Sequence, residues 1–209
     1  MRFIYLHGFA SGPASKKARH FSERFREHGI ELAVPDLAEG DFEGLTISGQ
    51  LAVVERLAGG EPVSLVGSSM GGYLAALYAA RHSEVHKLVL LAPAFGFARR
   101  WAEALGPAAM EQWKRTGRLT VYHYGEGRER QVGYGLIEDG LTYEDYPDVT
   151  QPVLIFHGTR DTVVQADLSR EFAAARPNVR LELVDSDHEL TDVLDRMWDG
   201  TRKFLLEQQ

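Results

Sequence analysis

Three residue types that act together in acyl transfer stand in this chain in the order Ser69, Asp161, His188, each beside a glycine or a turn-forming run. A serine hydroxyl is a weak nucleophile until a base takes its proton. An imidazole does this best when a carboxylate fixes its tautomer and stabilises its cation. Ser69 is the middle residue of Gly67-Ser68-Ser69-Met70-Gly71, with Gly72 next. In such a Gly-x-Ser-x-Gly pentapeptide the glycines leave space around a sharp strand-to-helix turn that lifts the hydroxyl above the sheet. The pentapeptide alone is short and also occurs in ordinary turns, so its surroundings carry the weight. Met70 would offer its backbone N–H at the start of the following helix. The early turn His7-Gly8-Phe9 would aim a second N–H, from Phe9 or one residue on at Ala10, at the same oxygen. A tetrahedral intermediate needs two such donors.

Asp161 follows the apolar run Val153–Phe156 and the turn His157-Gly158, and His188 follows the run 179–184 and Asp185-Ser186-Asp187. His188 is read as the base and Asp161 as the acid that orients it. Asp185 and Asp187 are too near in sequence to point back at the ring from the required side, and they suit turn and helix N-cap roles. Ser68 falls outside the pentapeptide frame. His7 and His157 each close a strand and are read as structural; His20, His28, His82, His86 and His123 have no evident role. No pair of histidines shows metal-ligand spacing with a carboxylate or thiol, so no metal is expected.

These groups need strands that end where they begin. Apolar β-rich runs read as strands near 2–6, 31–34, 63–67, 87–92, 153–157 and 179–184, and helical patterns fall near 14–28, 46–58, 70–82, 165–175 and 189–206. Strands alternating with helices predict a parallel sheet with helices on both faces. Gly29 and Gly59-Gly60 stand where helices stop, and Pro35-Asp36 ends the second strand.

Leu6-His7-Gly8-Phe9, Gly67-Ser68-Ser69-Met70-Gly71-Gly72, His157-Gly158-Thr159-Arg160-Asp161 and Asp187-His188-Glu189-Leu190 together resemble the α/β-hydrolase superfamily. The stretch 6–13, Leu-His-Gly-Phe-Ala-Ser-Gly-Pro, and the short chain resemble the YqiA-like small bacterial esterases within it. The superfamily resemblance spans nearly the whole chain; the narrower one rests on the first stretch and the elbow. It implies a compact α/β-hydrolase fold of about six parallel strands, without the two N-terminal antiparallel strands of larger members. It also implies esterase or thioesterase activity on small acyl substrates, with no cofactor. The insert is longer than the smallest members suggest, which loosens any inherited substrate preference.

That insert, residues 95–150, leaves the fourth strand at the sheet's carboxyl edge, where ligands bind in open α/β folds. Phe97, Trp101 and Leu105, then Met110 and Trp113, are spaced for an apolar helix face, which Gly106-Pro107 breaks in two. Residues 119–134 read as a β-hairpin around Gly125-Glu126-Gly127. The insert is expected to cap Ser69 within a single domain, 1–209, with Phe95, Phe97, Trp101 and Trp113 as candidate lining of an acyl pocket. The competing reading is that these rings only pack the insert onto the core. Arg99-Arg100 and Lys16-Lys17-Arg19 raise the idea of an anionic substrate, against the usual reading of solvated surface charge.

With 209 residues and 44% hydrophobic content the chain can bury one sizeable core. A net charge of −7 argues against a nucleic-acid partner, and no apolar run approaches a membrane span. Zero cysteines exclude disulfides and thiolate chemistry. With no leader visible ahead of the first strand, a cytoplasmic location is expected. A serine hydrolase of carboxylic esters is the leading reading, with thioester or amide cleavage on the same residues as variants. A non-catalytic binding protein of the same fold is the alternative of a different class.

Overall fold

The computed structural model describes residues 1–207. In chain order its elements are β1 (Arg2–Leu6), α1 (Lys16–Glu27), β2 (Leu32–Ala33), α2 (Ile47–Ala58), β3 (Val63–Ser68), α3 (Met70–Ala79), β4 (Val85–Leu91), α4 (Phe97–Thr116), β5 (Arg118–His123), β6 (Arg128–Gly133), α5 (Gly135–Gly140), β7 (Val153–Gly158), α6 (Asp167–Ala174), β8 (Val179–Val184) and α7 (Leu194–Leu205). Six strands form one parallel sheet in the order β2-β1-β3-β4-β7-β8, and β5 and β6 pair as a separate antiparallel hairpin.

The apolar runs become continuous because both faces of the sheet are covered. Ile4 and Leu6, Leu88 and Leu90, and Ile155 pack into a core with α2, α3, α6 and the insert. Their neighbours Phe3 and Tyr5, Val89 and Leu91, and Leu154 and Phe156 pack into a second core with α1 and α7. Side chains cap the starts of α1 and α2: the Ser15 hydroxyl accepts from the Ala18 N–H at 3.4 Å, and Thr46 accepts from Gly49 at 2.9 Å. Gly59 ends α2 in the left-handed conformation at φ 60°.

Strand order determines where a site can form. From β1 the chain moves outward to β2, then returns across β1 to place β3 on its other side. The loops after β1 and β3 therefore leave the sheet in opposite directions and open a crevice between their carboxyl ends. The register pairs Leu6 with Gly67, so the loop after β1 and the turn after β3 start side by side.

Two glycines make that turn sterically possible. A Cβ on Gly67 would sit 2.7 Å from Gly72 Cα and closer still to the Gly71 carbonyl oxygen. A Cβ on Gly71 would sit 2.5 Å from the His7 carbonyl oxygen. Helix α3 can thus lie directly on the ends of β1 and β3, and all ten of its residues are buried.

The insert runs as expected through a helix, a break and a hairpin. Gly106 carries non-helical angles (φ 77°, ψ 165°) ahead of Pro107 and divides α4. Two features depart from the sequence reading. The short α5, bracketed by glycines, has too few residues to show a helical period. And α7 begins at Leu194 rather than near 189. Leu190 holds a left-handed φ of 56°, the Glu189 N–H donates to Asp187 Oδ1 at 2.9 Å, and the Ser186 hydroxyl bonds Asp192. Side chains here satisfy the backbone groups that a helix would otherwise claim.

Replacing Gly67 with alanine should destabilise the protein by about 3 kcal/mol or more, since the added methyl meets backbone that cannot move aside. Gly12→Ala, in open space, should stay within about 0.5 kcal/mol. Urea unfolding of both variants tests this; equal midpoints would show that the α3 contact is not the constraint described.

Candidate active site

Ser69 sits between β3 and α3 with φ 54° and ψ −120°, a conformation that L-residues avoid at a cost of about 1–3 kcal/mol. The turn is held from both sides. The Ser69 N–H donates to the Leu91 carbonyl at 2.9 Å, and its carbonyl accepts from the N–H groups of Gly72 at 2.9 Å, Tyr73 at 3.2 Å and Ala94 at 3.0 Å. The strain is thus over-determined by α3, β4 and the start of the insert.

The Ser69 hydroxyl lies 3.0 Å from His188 Nε2, and His188 Nδ1 lies 2.7 Å from Asp161 Oδ2. A carboxylate only accepts, so Nδ1 carries the proton and Nε2 presents a lone pair to the serine. His188 reaches this place because its loop lies against the end of β7. A Cβ on Gly158 would stand 2.6 Å from the Asp187 carbonyl oxygen, so glycine alone permits the approach. Arg160 N–H to the Ser186 carbonyl (3.0 Å) and Thr159 N–H to the Val184 carbonyl (2.8 Å) tie the two loops together. Asp185 pairs with Arg160 at 2.7 Å, and Asp187 makes the local turn already described; neither takes the place of Asp161.

The Asp161 side chain is fully buried. Burial, the largest single influence, pushes its pKa up. Hydrogen bonds from His157 and His188, the His188 charge and the Val164 N–H outweigh it and hold the carboxyl well below the usual range. Its other oxygen accepts from the N–H groups of Val163 (2.9 Å) and Val164 (2.8 Å).

The loop after β1 stands against the serine, since a Cβ on Gly8 would be 3.3 Å from Ser69 Cβ. His7 braces this loop. Its Nε2 accepts from the Leu37 N–H at 3.3 Å, which leaves Nδ1–H to donate to the Gly8 carbonyl at 3.0 Å. Burial, chiefly, keeps the His7 pKa below its ordinary value, consistent with this neutral form. In the turns and caps among the described residues, neither the Phe9 nor the Met70 N–H donates to a backbone carbonyl.

The four aromatic residues of the expected pocket separate. Phe97 and Trp101 are partly exposed and pack against the Phe9 ring at centroid distances of 5.7 and 4.9 Å. Phe95 and Trp113 do not line an open surface. Phe95 is fully buried and stacks on Phe172 at 4.2 Å, and Trp113, 1% exposed, donates Nε1–H to the Val132 carbonyl at 3.2 Å. Helical spacing alone does not reveal which side of α4 its neighbours cover. The arginine pair is likewise engaged: Arg99 bonds Asp145 at 2.8 Å, and Arg100 donates to the Phe95 carbonyl at 3.2 Å. Among the described residues no three acidic or histidine side chains are grouped to hold a metal ion, and no helix is long and apolar enough to cross a membrane.

Lys17 was grouped in the sequence with its solvated neighbours, yet its ammonium donates to the Glu189 carbonyl at 2.7 Å, beside His188. Burial, the main influence, pulls its pKa down to about 8. The signal lay in spacing: Lys17 precedes the buried Phe21 by four residues and shares its face of α1.

Because Asp161 is more acidic folded than unfolded, it stabilises the fold above its unfolded pKa of about 4, and that contribution is lost as pH falls below this. The stability gap between wild type and Asp161→Asn should therefore narrow from pH 6 to pH 3 in urea titrations. A gap constant with pH would mean that the carboxylate is not held as described.

Solved structures share this architecture. A candidate hydrolase from Agrobacterium vitis S4 is 26% identical, covers 98% of this chain with 87% of its own, and superposes with a TM-score of 0.83. Mouse alpha/beta hydrolase domain-containing protein 10 is 21% identical over 97% of this chain and 88% of its own, with a TM-score of 0.82. Est1E from Butyrivibrio proteoclasticus, solved with ferulic acid bound, is 22% identical over 98% and 88%, with a TM-score of 0.81. The six-stranded parallel sheet and these superpositions make this an α/β-hydrolase fold. A family model matches residues 2–204, nearly the entire chain, and on that match the protein belongs to the uncharacterised protein family UPF0227, within the α/β-hydrolase superfamily.

Proposed function

We propose that the protein is a serine hydrolase of carboxylic esters that works through an acyl-enzyme. The reading rests on one observation above the others: the continuous chain of contacts from Ser69 Oγ through the His188 ring to Asp161, at 3.0 and 2.7 Å. Ser69 Oγ attacks the ester carbonyl carbon as its proton passes to His188 Nε2, and the carbonyl π electrons move onto oxygen. The Phe9 and Met70 N–H groups stabilise that oxyanion. Its collapse expels the alcohol, which leaves with the proton from His188. Water then attacks the acyl carbon, gives a proton to His188, and a second collapse returns the hydrogen to Ser69 and frees the acid. Asp161 stays ionised throughout and stabilises the imidazolium.

Residues 95–150 act in this reading as the cap. The hairpin turn reaches the loop after β1, with Gly125 N–H to the Ala10 carbonyl at 3.4 Å. Phe97 and Trp101 join Phe9 and Phe42 in an aromatic wall beside the oxyanion turn. Such a wall favours an apolar acyl or alcohol group.

Hydrolysis of p-nitrophenyl acetate, butyrate, octanoate and palmitate, beside an acyl-CoA, tests the reading. Ser69→Ala and His188→Ala should each lower kcat on the order of 10⁴- to 10⁶-fold while leaving the fold intact. A fluorophosphonate should label the wild type and spare Ser69→Ala. Absence of both turnover and labelling in the wild type would replace the enzyme by a binding protein. Turnover of the thioester alone would make it a thioesterase.

A further inference from the structure

One buried titratable side chain beside these residues has no part in the chemistry above. His157, the fifth residue of β7, is fully buried, and both ring nitrogens are engaged. Nε2 lies 2.8 Å from the Val164 carbonyl oxygen and 3.2 Å from Asp161 Oδ2, and Nδ1 lies 2.7 Å from the Ser169 hydroxyl on α6, itself fully buried. Both atoms facing Nε2 can only accept, so Nε2 carries a hydrogen whatever the charge of the ring. In the neutral ring Nδ1 is then the acceptor for the Ser169 O–H. Two imidazoles therefore face one carboxylate oxygen: His188 donates to it from the site, and His157, whose Nε2–H donates to the Val164 carbonyl, stands 3.2 Å from it in the core.

We propose that His157 is a positioning residue for the reaction, the inner member of a relay Ser169–His157–Asp161–His188–Ser69 that sets both the orientation of Asp161 and the basicity of His188. This rests on the serine-hydrolase reading. A residue that only filled space at this point of β7 would be apolar like the four before it, Val153, Leu154, Ile155 and Phe156. Burying an imidazole there is costly unless its nitrogens are paired. Its partners lie on two segments beyond its own strand: Asp161 and Val164 in the loop after β7, and Ser169 on α6. They hold the loop from beneath, so that Asp161 Oδ2 cannot turn away when His188 moves toward the substrate. The polar N–H of His157, 3.2 Å from that oxygen, also stabilises part of the negative charge that His188 uses. Removing it should leave His188 a stronger base and Asp161 less well aimed. Asp161 faces the His188 ring, Asp187 and Glu189 flank it in the chain, and Lys17 of α1 donates to the Glu189 carbonyl beside it; of these, substitution of His157 directly touches Asp161 alone.

The test is the pH dependence of kcat/KM for the best p-nitrophenyl ester in wild type, His157→Leu and His157→Gln, with Ser69→Ala alongside. Leucine keeps an apolar filling and removes the donor; glutamine can return an N–H near the Nε2 position. His157→Leu should lower kcat/KM about 10- to 100-fold and move the acid limb to higher pH by about half a unit. His157→Gln should restore the limb and most of the rate. An unchanged limb, with losses that follow the folded fraction of each variant, would make His157 a packing residue. Nitrogen-15 NMR needs no His157 variant to fold. The His157 Nε2–H proton should appear far downfield in wild type and move upfield in Asp161→Asn. A resonance unmoved by that substitution, or a ring protonated at Nδ1 alone, would overturn the proposal. If Ser69→Ala retains full turnover, it is the hydrolase reading that fails, and the NMR result still stands on its own.

Discussion

The site depends on how closely backbone can approach backbone where β1, β3 and α3 meet. Gly67 and Gly71 bring α3 onto the strand ends without an intervening side chain, and the chain must then reverse within one residue to enter the helix. Ser69 takes that reversal in a conformation that would relax elsewhere. It cannot relax here, because its N–H is bonded to β4 and its carbonyl receives three donors. The placing of the half-buried Ser69 hydroxyl, of a Met70 N–H that donates to no backbone carbonyl in the described turns and caps, and of Gly8 beside them follows from this one steric arrangement.

The second half of the site is built on charge rather than contact. A carboxylate buried at the carboxyl edge of the sheet would ordinarily take up a proton. Asp161 remains an anion because two backbone N–H groups and two imidazoles converge on it. Its demand for donors organises the loop after β7 and the loop after β8 about one point. Gly158 lets those loops touch, as Gly67 and Gly71 do for the elbow. Lys17 adds a tie from α1 to the residue after His188.

Much of this was legible in the residues themselves. The alternation of strands and helices, the six parallel strands and the broken helix of the insert follow from local pattern, because both faces of the sheet are covered and Gly106-Pro107 cannot continue a helix. That Ser69, Asp161 and His188 would meet followed from where each strand ended. What could not be read depends on packing between distant segments. Phe95 and Phe97 are two residues apart, yet Phe172 and Tyr146 enclose the first while the second faces Phe9. Trp101 and Trp113 share a helical pattern, but β6 covers only Trp113 directly through its indole N–H. The late start of α7 reflects two side-chain contacts, Ser186 to Asp192 and Asp187 to the Glu189 N–H, and a left-handed leucine that no period reveals. His157 looked like a strand-closing histidine, and its link to Asp161 depends on the path of a loop.

Helix α3 has no exposed face, an unusual condition for a ten-residue helix directly after a strained turn. Amides in such an element exchange with solvent only when the whole domain opens, whereas the partly exposed α4 and the hairpin can open on their own. By that argument Ser69 is anchored to a segment whose opening requires the whole domain to open, while the more exposed insert beside it can open locally. Substitutions in the insert can then be absorbed locally, while any change that loosens α3 is felt as loss of the folded protein itself.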